Sequence, residues 1–178
     1  MTKIRILAIS GSLREFSYNS ALIKAAALLA PDGMEVIVFD DLKHIPLFNP
    51  DRENDSHQAV NKLKTEVSQS DGLLISSPEY AHGISGVLKN ALDWLVSGEE
   101  FPDIPVALAN TSPRATHAQA ALREVVSTMS GNIMNDASIS VPLLGSNYDA
   151  NTIVKDVEMS GYLIQKLTIF RNQIVETS

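Results

Sequence analysis

The chain has 178 residues, the size of one ordinary domain, and about 44% of them are apolar, enough for a sizeable core. It contains no cysteine, which excludes disulfides, thiolate nucleophiles and cysteine-ligated metals, so redox chemistry here needs a bound cofactor. The formal charge of −7, without a basic stripe, argues against nucleic-acid binding and for solubility.

Ile4–Ser10 is rich in Ile and Leu and ends at Gly11, the pattern of a buried parallel strand. It is too short to span a bilayer and no cleavage site follows, so no membrane segment or leader is expected and the cytoplasm is the expected location. Ser20–Ala30 has helical spacing and stops at Pro31-Asp32-Gly33. Met34–Phe39 reads as a second strand, Asp40–Asp55 as a long loop, and Ser56–Ser68 as an amphipathic helix capped by Ser56. Gly72–Ser77 is a third strand, Ser85–Ser97 a helix, and Pro105–Asn110 a fourth strand. Thr116–Met129 is a helix, Ile133–Val141 a fifth strand, and Ile153–Arg171 a closing helix after a loop around Pro142–Asn151.

Five alternating strand–helix units predict one α/β domain over 1–178, a doubly wound five-stranded parallel sheet with helices on both faces. The strand order expected is the flavodoxin-like 2-1-3-4-5. Ligands of such sheets sit beyond the carboxyl ends of the strands. That selects the loops after Ser10, Ser77 and Asn110.

The first loop runs from Gly11 to Asn19. Gly11 offers backbone freedom for a sharp exit from the strand. Ser12, Ser17 and Asn19 bring short hydrogen-bonding heads, and Arg14 a planar cation suited to phosphate oxygens. The helix beginning near Asn19 aims free N–H groups at the same place, which completes a phosphate cradle. An ordinary helix cap beside a solvated arginine is the plainer account of the same residues. Gly11 is the loop's only glycine and no Gly-Lys-Ser/Thr follows. A Walker A loop and a dinucleotide fingerprint are therefore disfavoured.

The second loop holds Tyr80, an aromatic face for a planar ring, between Pro78 and Gly83, which shape a tight turn. Such a turn can present N–H groups to the polar edge of a ring. His82 and Ser85 stand close together, but Gly83-Ile84-Ser85-Gly86 lacks the G-x-S-x-G spacing and no third member is readable, which disfavours hydrolase chemistry.

Gly-Ser-Leu-Arg-x-x-Ser-x-Asn at 11–19, followed by Pro-Glu-Tyr at 78–80 and Gly-x-Leu-Lys-Asn-Ala-x-Asp-Trp at 86–94, resembles the NADPH-dependent FMN reductase family. That family includes quinone, chromate and azo reductases on a flavodoxin-like fold. The resemblance implies FMN as cofactor and NADPH or NADH as co-substrate. It implies that Ser12, Arg14, Ser17, Tyr18 and Asn19 hold the FMN phosphate. Pro78, Glu79, Tyr80, Ala81, His82 and Gly83 would line the isoalloxazine ring, and the third loop, with Ser112 and Arg114, would border its other edge. Arg114 serves equally as a contact for nicotinamide-nucleotide phosphates or as a solvated loop residue. No protein acid or base is required, since the flavin does the chemistry. The acceptor would be a small molecule: a quinone, free flavin, azo compound or metal oxyanion. A homodimer or homotetramer is implied too, with Trp94 and Phe101 as candidate interface anchors; buried core is an equal account of Trp94. The chain departs from the family at Ala81, where Asn is frequent, at Ser85, where Pro is frequent, and at Ala115-Thr116, where a Gly-Gly pair is frequent. An electron carrier of flavodoxin type, or a binding module without turnover, are the competing readings.

Overall fold

The computed structural model describes residues 3–177, so Met1 and Thr2, ahead of the first strand, lie outside it. Strands β1 (Ile4–Ser10), β2 (Met34–Phe39), β3 (Gly72–Ser76), β6 (Pro105–Asn110), β7 (Asn132–Ile133) and β8 (Ile139–Ser140) form one parallel sheet. Its order is β2-β1-β3-β6-β7, and β8 also pairs with β6. This is the 2-1-3-4-5 order, with its last strand in two pieces. A short polar helical turn, Asn135–Ala137, interrupts what the sequence suggests is one strand, Ile133–Val141. A separate two-stranded hairpin joins β4 (Glu79–Tyr80) to β5 (Gly83–Ile84).

The helices are α1 (Tyr18–Leu28), α2 (Gln58–Ser68), α3 (Gly86–Asp93), α4 (Thr116–Thr128), α5 (Ala150–Lys155) and α6 (Val157–Thr177). Strand alternation divides them between two cores. Ile6 and Ala8 of β1, Leu74 of β3 and Ala107 and Ala109 of β6 face α1, α5 and α6. Leu7, Ile9, Leu73, Ile75, Val106 and Leu108 face α2, α3 and α4. Both faces being covered, β1 and β3 read as continuous apolar runs rather than alternating ones. Each fully buried Leu or Ile contributes roughly 1.5–3 kcal/mol, which anchors the strand ends that carry the loops.

Several helix ends differ from the sequence reading. His57, not Ser56, takes the N-cap position of α2, and the Ser56 hydroxyl accepts instead from the Asn61 side chain. Helix α3 ends at Asp93, and the chain continues in turns. The closing helix is two helices, because Asp156 leaves helical geometry and its carboxylate caps α6 at the Met159 amide. The long loop after β2 contains two helical turns, Leu42–His44 and Pro50–Arg52.

Trp94 and Phe101 are both 1% exposed and so are core residues rather than interface anchors. The Trp94 indole donates to the Pro46 carbonyl at 2.8 Å and meets Phe48 edge-on, which satisfies its one polar atom inside the fold.

Gly11 needs space rather than an unusual backbone angle: its φ is not positive, and a Cβ there would lie 2.9 Å from the Ser85 hydroxyl and 3.2 Å from Leu88. The start of α3 therefore packs directly on the exit of β1.

Candidate flavin site

The carboxyl ends of β1, β3 and β6 open into a cleft of about 850 Å³, within the range of small-molecule sites. The predicted residues Ser12, Arg14, Ser17, Tyr18, Asn19, Pro78, Glu79, Tyr80, Ser112 and Arg114 all line it. Ala81, His82 and Gly83 do not: Ala81 and His82 form the tip of the β4–β5 hairpin and Gly83 starts its return strand, outside the cleft. A shallower groove of about 580 Å³ lies at the opposite ends of β3 and β6, but its charged lining is Asp71, Glu99, Glu100 and Asp103, which repels a phosphate.

The first wall follows from helix α1. Ser17 is its N-cap, with the hydroxyl accepting from the Ser20 amide at 3.3 Å. The amides of Tyr18 and Asn19, the first helical positions, have no carbonyl to reach within the helix and face the cleft end. Arg14 is exposed, and its own amide donates to the Ser12 hydroxyl. The third loop repeats the device: the Arg114 amide donates to the Ser112 hydroxyl at 3.3 Å. Among the described residues no carboxylate lies within ion-pair distance of Arg14, Arg114 or Lys24, which also lines the cleft. Of the three lining carboxylates, Glu79 and Asp149 already serve helix N-termini, and Glu15 is exposed beside Arg14. Three cations thus line one cleft with no ion-pair partner among the described residues. That arrangement fits a phosphorylated, ring-bearing ligand such as FMN.

Asn19 is only 7% exposed. Its amide oxygen accepts from the Ser76 hydroxyl at 2.7 Å and from the Thr111 hydroxyl at 3.3 Å. One side chain therefore ties α1 to the ends of β3 and β6, and only its NH2 group is left for a ligand. The Tyr18 hydroxyl is likewise engaged, accepting from the Asn147 amide at 3.3 Å.

That bond introduces a fourth wall absent from the sequence reading: Leu144, Asn147, Tyr148, Asp149, Ala150 and Asn151. The segment carries no hydrophobic period, and its one local signal is the Asp149 cap of α5. The Thr152 hydroxyl and amide hold the Asp149 carboxyl below the usual carboxylate range. A depressed pKa means the cap is fully formed at neutral pH and is lost as pH falls through it.

The hairpin turn is strained. Ala81 (φ 48°) and His82 (φ 59°) both have positive φ, as a type I′ turn requires, yet neither is glycine or asparagine. Glycine at 83 does not relieve it, because its φ is not among the positive ones. The double substitution A81N/H82G is expected to raise stability by about 1 kcal/mol, read as a higher urea midpoint at unchanged slope. The His82 ring stacks on His117 of α4, with centroids 4.4 Å apart.

Residues 4–143 match the family described as NADPH-dependent FMN reductase. An NAD(P)H-dependent FMN reductase of Pseudomonas aeruginosa is 33% identical over 170 residues, covering 92% of this chain and 91% of that one. A 2-hydroxy-1,4-benzoquinone reductase of a Burkholderia species is 34% identical over 166 residues, covering 90% of each. Among solved structures, FerB, a flavoenzyme NAD(P)H:(acceptor) oxidoreductase of Paracoccus denitrificans, superposes with a TM-score of 0.85 at 27% identity over 97% of this chain and 98% of its own. The fold, the cleft and these likenesses agree: the chain belongs to the NADPH-dependent FMN reductase family and is an NAD(P)H-dependent oxidoreductase with FMN as its cofactor.

Proposed function

We propose that the protein passes electrons from a nicotinamide nucleotide through FMN to a small acceptor, a quinone in the first instance. The observation that carries this reading is the cleft itself: unpaired Arg14 and the first amides of α1 at one wall, half-exposed Tyr80 at another. The chemistry FMN supplies when bound is two-electron acceptance and release. The chain's residues bind and orient. Ser12, Arg14, Ser17, Tyr18 and Asn19 hold the phosphate, while Pro78, Tyr80, Ser112 and Arg114 bound the ring. The quinone preference is supported by the Burkholderia relative's name, and by a cleft with an aromatic side chain and an aliphatic one, Leu144, on its rim. Purified protein should be yellow and should oxidise NADPH with benzoquinone in a ping-pong pattern. Bound flavin with negligible turnover would instead identify a carrier or a binding module.

The proposal includes a cytoplasmic homodimer or homotetramer. Among the described residues no helix is long and apolar enough to cross a membrane. Leu47, 86% exposed, and Val96, 61% exposed, lie on the two segments that the Trp94–Pro46 bond joins, and they support an association face. Leu47→Glu is expected to lower the mass seen by sedimentation to that of a smaller assembly, without changing the monomer's helix content.

A further inference from the structure

Helix α4 begins without a cap of its own. Its N-cap residue is Ala115, which has no side-chain acceptor for the first-turn amides. The acceptor comes from another element: Glu79 of β4 takes the Ala118 amide at 2.9 Å, across 39 residues of sequence. The bond is part-buried, and its negative charge sits at the positive end of a 13-residue helix. The hairpin meets α4 again at its tip, where His82 stacks on His117. The second contact is made by the strained Ala81-His82 turn itself, a conformation that persists only where its surroundings hold it.

We propose that Glu79 is a positioning residue rather than a ring contact: it caps α4 from outside the helix and so fixes the distance between the β4–β5 hairpin and the third loop. Pro78 and Tyr80 stand on one side of that gap and Ser112, Arg114 and Ala115 on the other. The proposal rests on the flavin reading of the cleft. With the cap in place, the ring end of the cleft is pre-formed and the strained turn stays docked. Without it, the α4 N-terminus frays, the hairpin relaxes toward ordinary turn geometry, and ring binding must first re-form the gap. The effect travels through Ala118, so a neutral acceptor of similar length at position 79 keeps the bond but loses the share that the charge contributes.

The test compares Glu79→Ala and Glu79→Gln with wild type in two measurements. Hydrogen exchange at the Ala118 amide, in flavin-free protein, reads the cap directly. Titration with FMN and with riboflavin, which lacks the phosphate, reads the ring end. In Glu79→Ala, Ala118 exchange should accelerate about five- to thirtyfold, the range expected for a lost cap. Both flavins should weaken by a similar factor, because the defect lies away from the phosphate. Glu79→Gln, whose amide oxygen still accepts but carries no charge, should fall between wild type and Glu79→Ala in both measurements. Wild-type exchange at Ala118 in Glu79→Ala would overturn the proposal. So would a Glu79→Gln protein that keeps Ala118 protected yet binds both flavins as weakly as the alanine variant, since the carboxylate would then act on the ring itself. Failure of wild type to bind either flavin would overturn the cofactor reading instead, and the exchange rates would still decide the cap.

Discussion

Arg14→Ala is expected to weaken FMN binding by about 1.5–3 kcal/mol, the worth of a charge-assisted hydrogen bond, or roughly ten- to 150-fold in Kd. The guanidinium is exposed and, among the described residues, has no carboxylate within ion-pair distance, so its removal leaves no buried partner stranded. Thermal stability should therefore change by no more than about 0.5 kcal/mol. Riboflavin affinity should also stay close to wild type, because the contact proposed for Arg14 is to the phosphate. Arg14→Lys should recover part of the loss, since an ammonium keeps the charge but not the planar fork. The FMN affinity of wild type should fall with added salt, and that dependence should shrink in the alanine variant. Fluorescence titration at two ionic strengths checks all of these. An alanine variant with unchanged FMN affinity would show that the phosphate is held by the α1 amides without help from this side chain.

The contrast between what the residues announce and what the fold adds is sharpest at these loops. The sheet order and three of the cleft walls are legible because each rests on a local pattern: an apolar run, a small or polar residue at its end, then helical spacing. Ser12 and Arg14 are read this way and line the cleft; Ser112 and Arg114 also line it, but only the family resemblance singles them out within the third loop. The fourth wall, Leu144–Asn151, is not, because its place depends on α5 packing beside α1 and on the Tyr18–Asn147 bond, neither of which has a sequence period. The hairpin is hidden for a different reason. A type I′ turn usually shows itself by Asn-Gly, and here Ala81-His82 occupy it under tertiary constraint. Glu79 can be seen in the sequence as a carboxylate near an expected ring, but its partner at Ala118 is a long-range event. Gly11 is correctly singled out and the reason differs: the fold asks it for room beside Ser85 and Leu88.

Asn19 shows how one position can combine fold and site, and the two roles are separable. Asn19→Ala removes the shared acceptor of two hydroxyls that have little access to water, Ser76 at 0% and Thr111 at 4% exposure. A buried donor left without a partner costs about 1–3 kcal/mol. Alanine's better helix propensity returns only a few tenths of a kcal/mol. The net loss expected is about 2–4 kcal/mol, which for a chain of this length lowers Tm by roughly 4–16 °C. Asn19→Asp tests the same bonds differently. A carboxylate still accepts from both hydroxyls and sits favourably at the start of α1, so it should recover part of that loss. It also places a negative charge where the phosphate would lie and removes the amide NH2. FMN affinity should then drop by at least about tenfold, while riboflavin is less affected. Calorimetry and flavin titration on the two variants separate the roles. Stability lost in alanine and partly restored in aspartate identifies the interstrand clamp, and FMN affinity lost in aspartate identifies the phosphate site. If the alanine variant melts with wild type, Ser76 and Thr111 have other acceptors in solution, and Asn19 acts on the ligand alone.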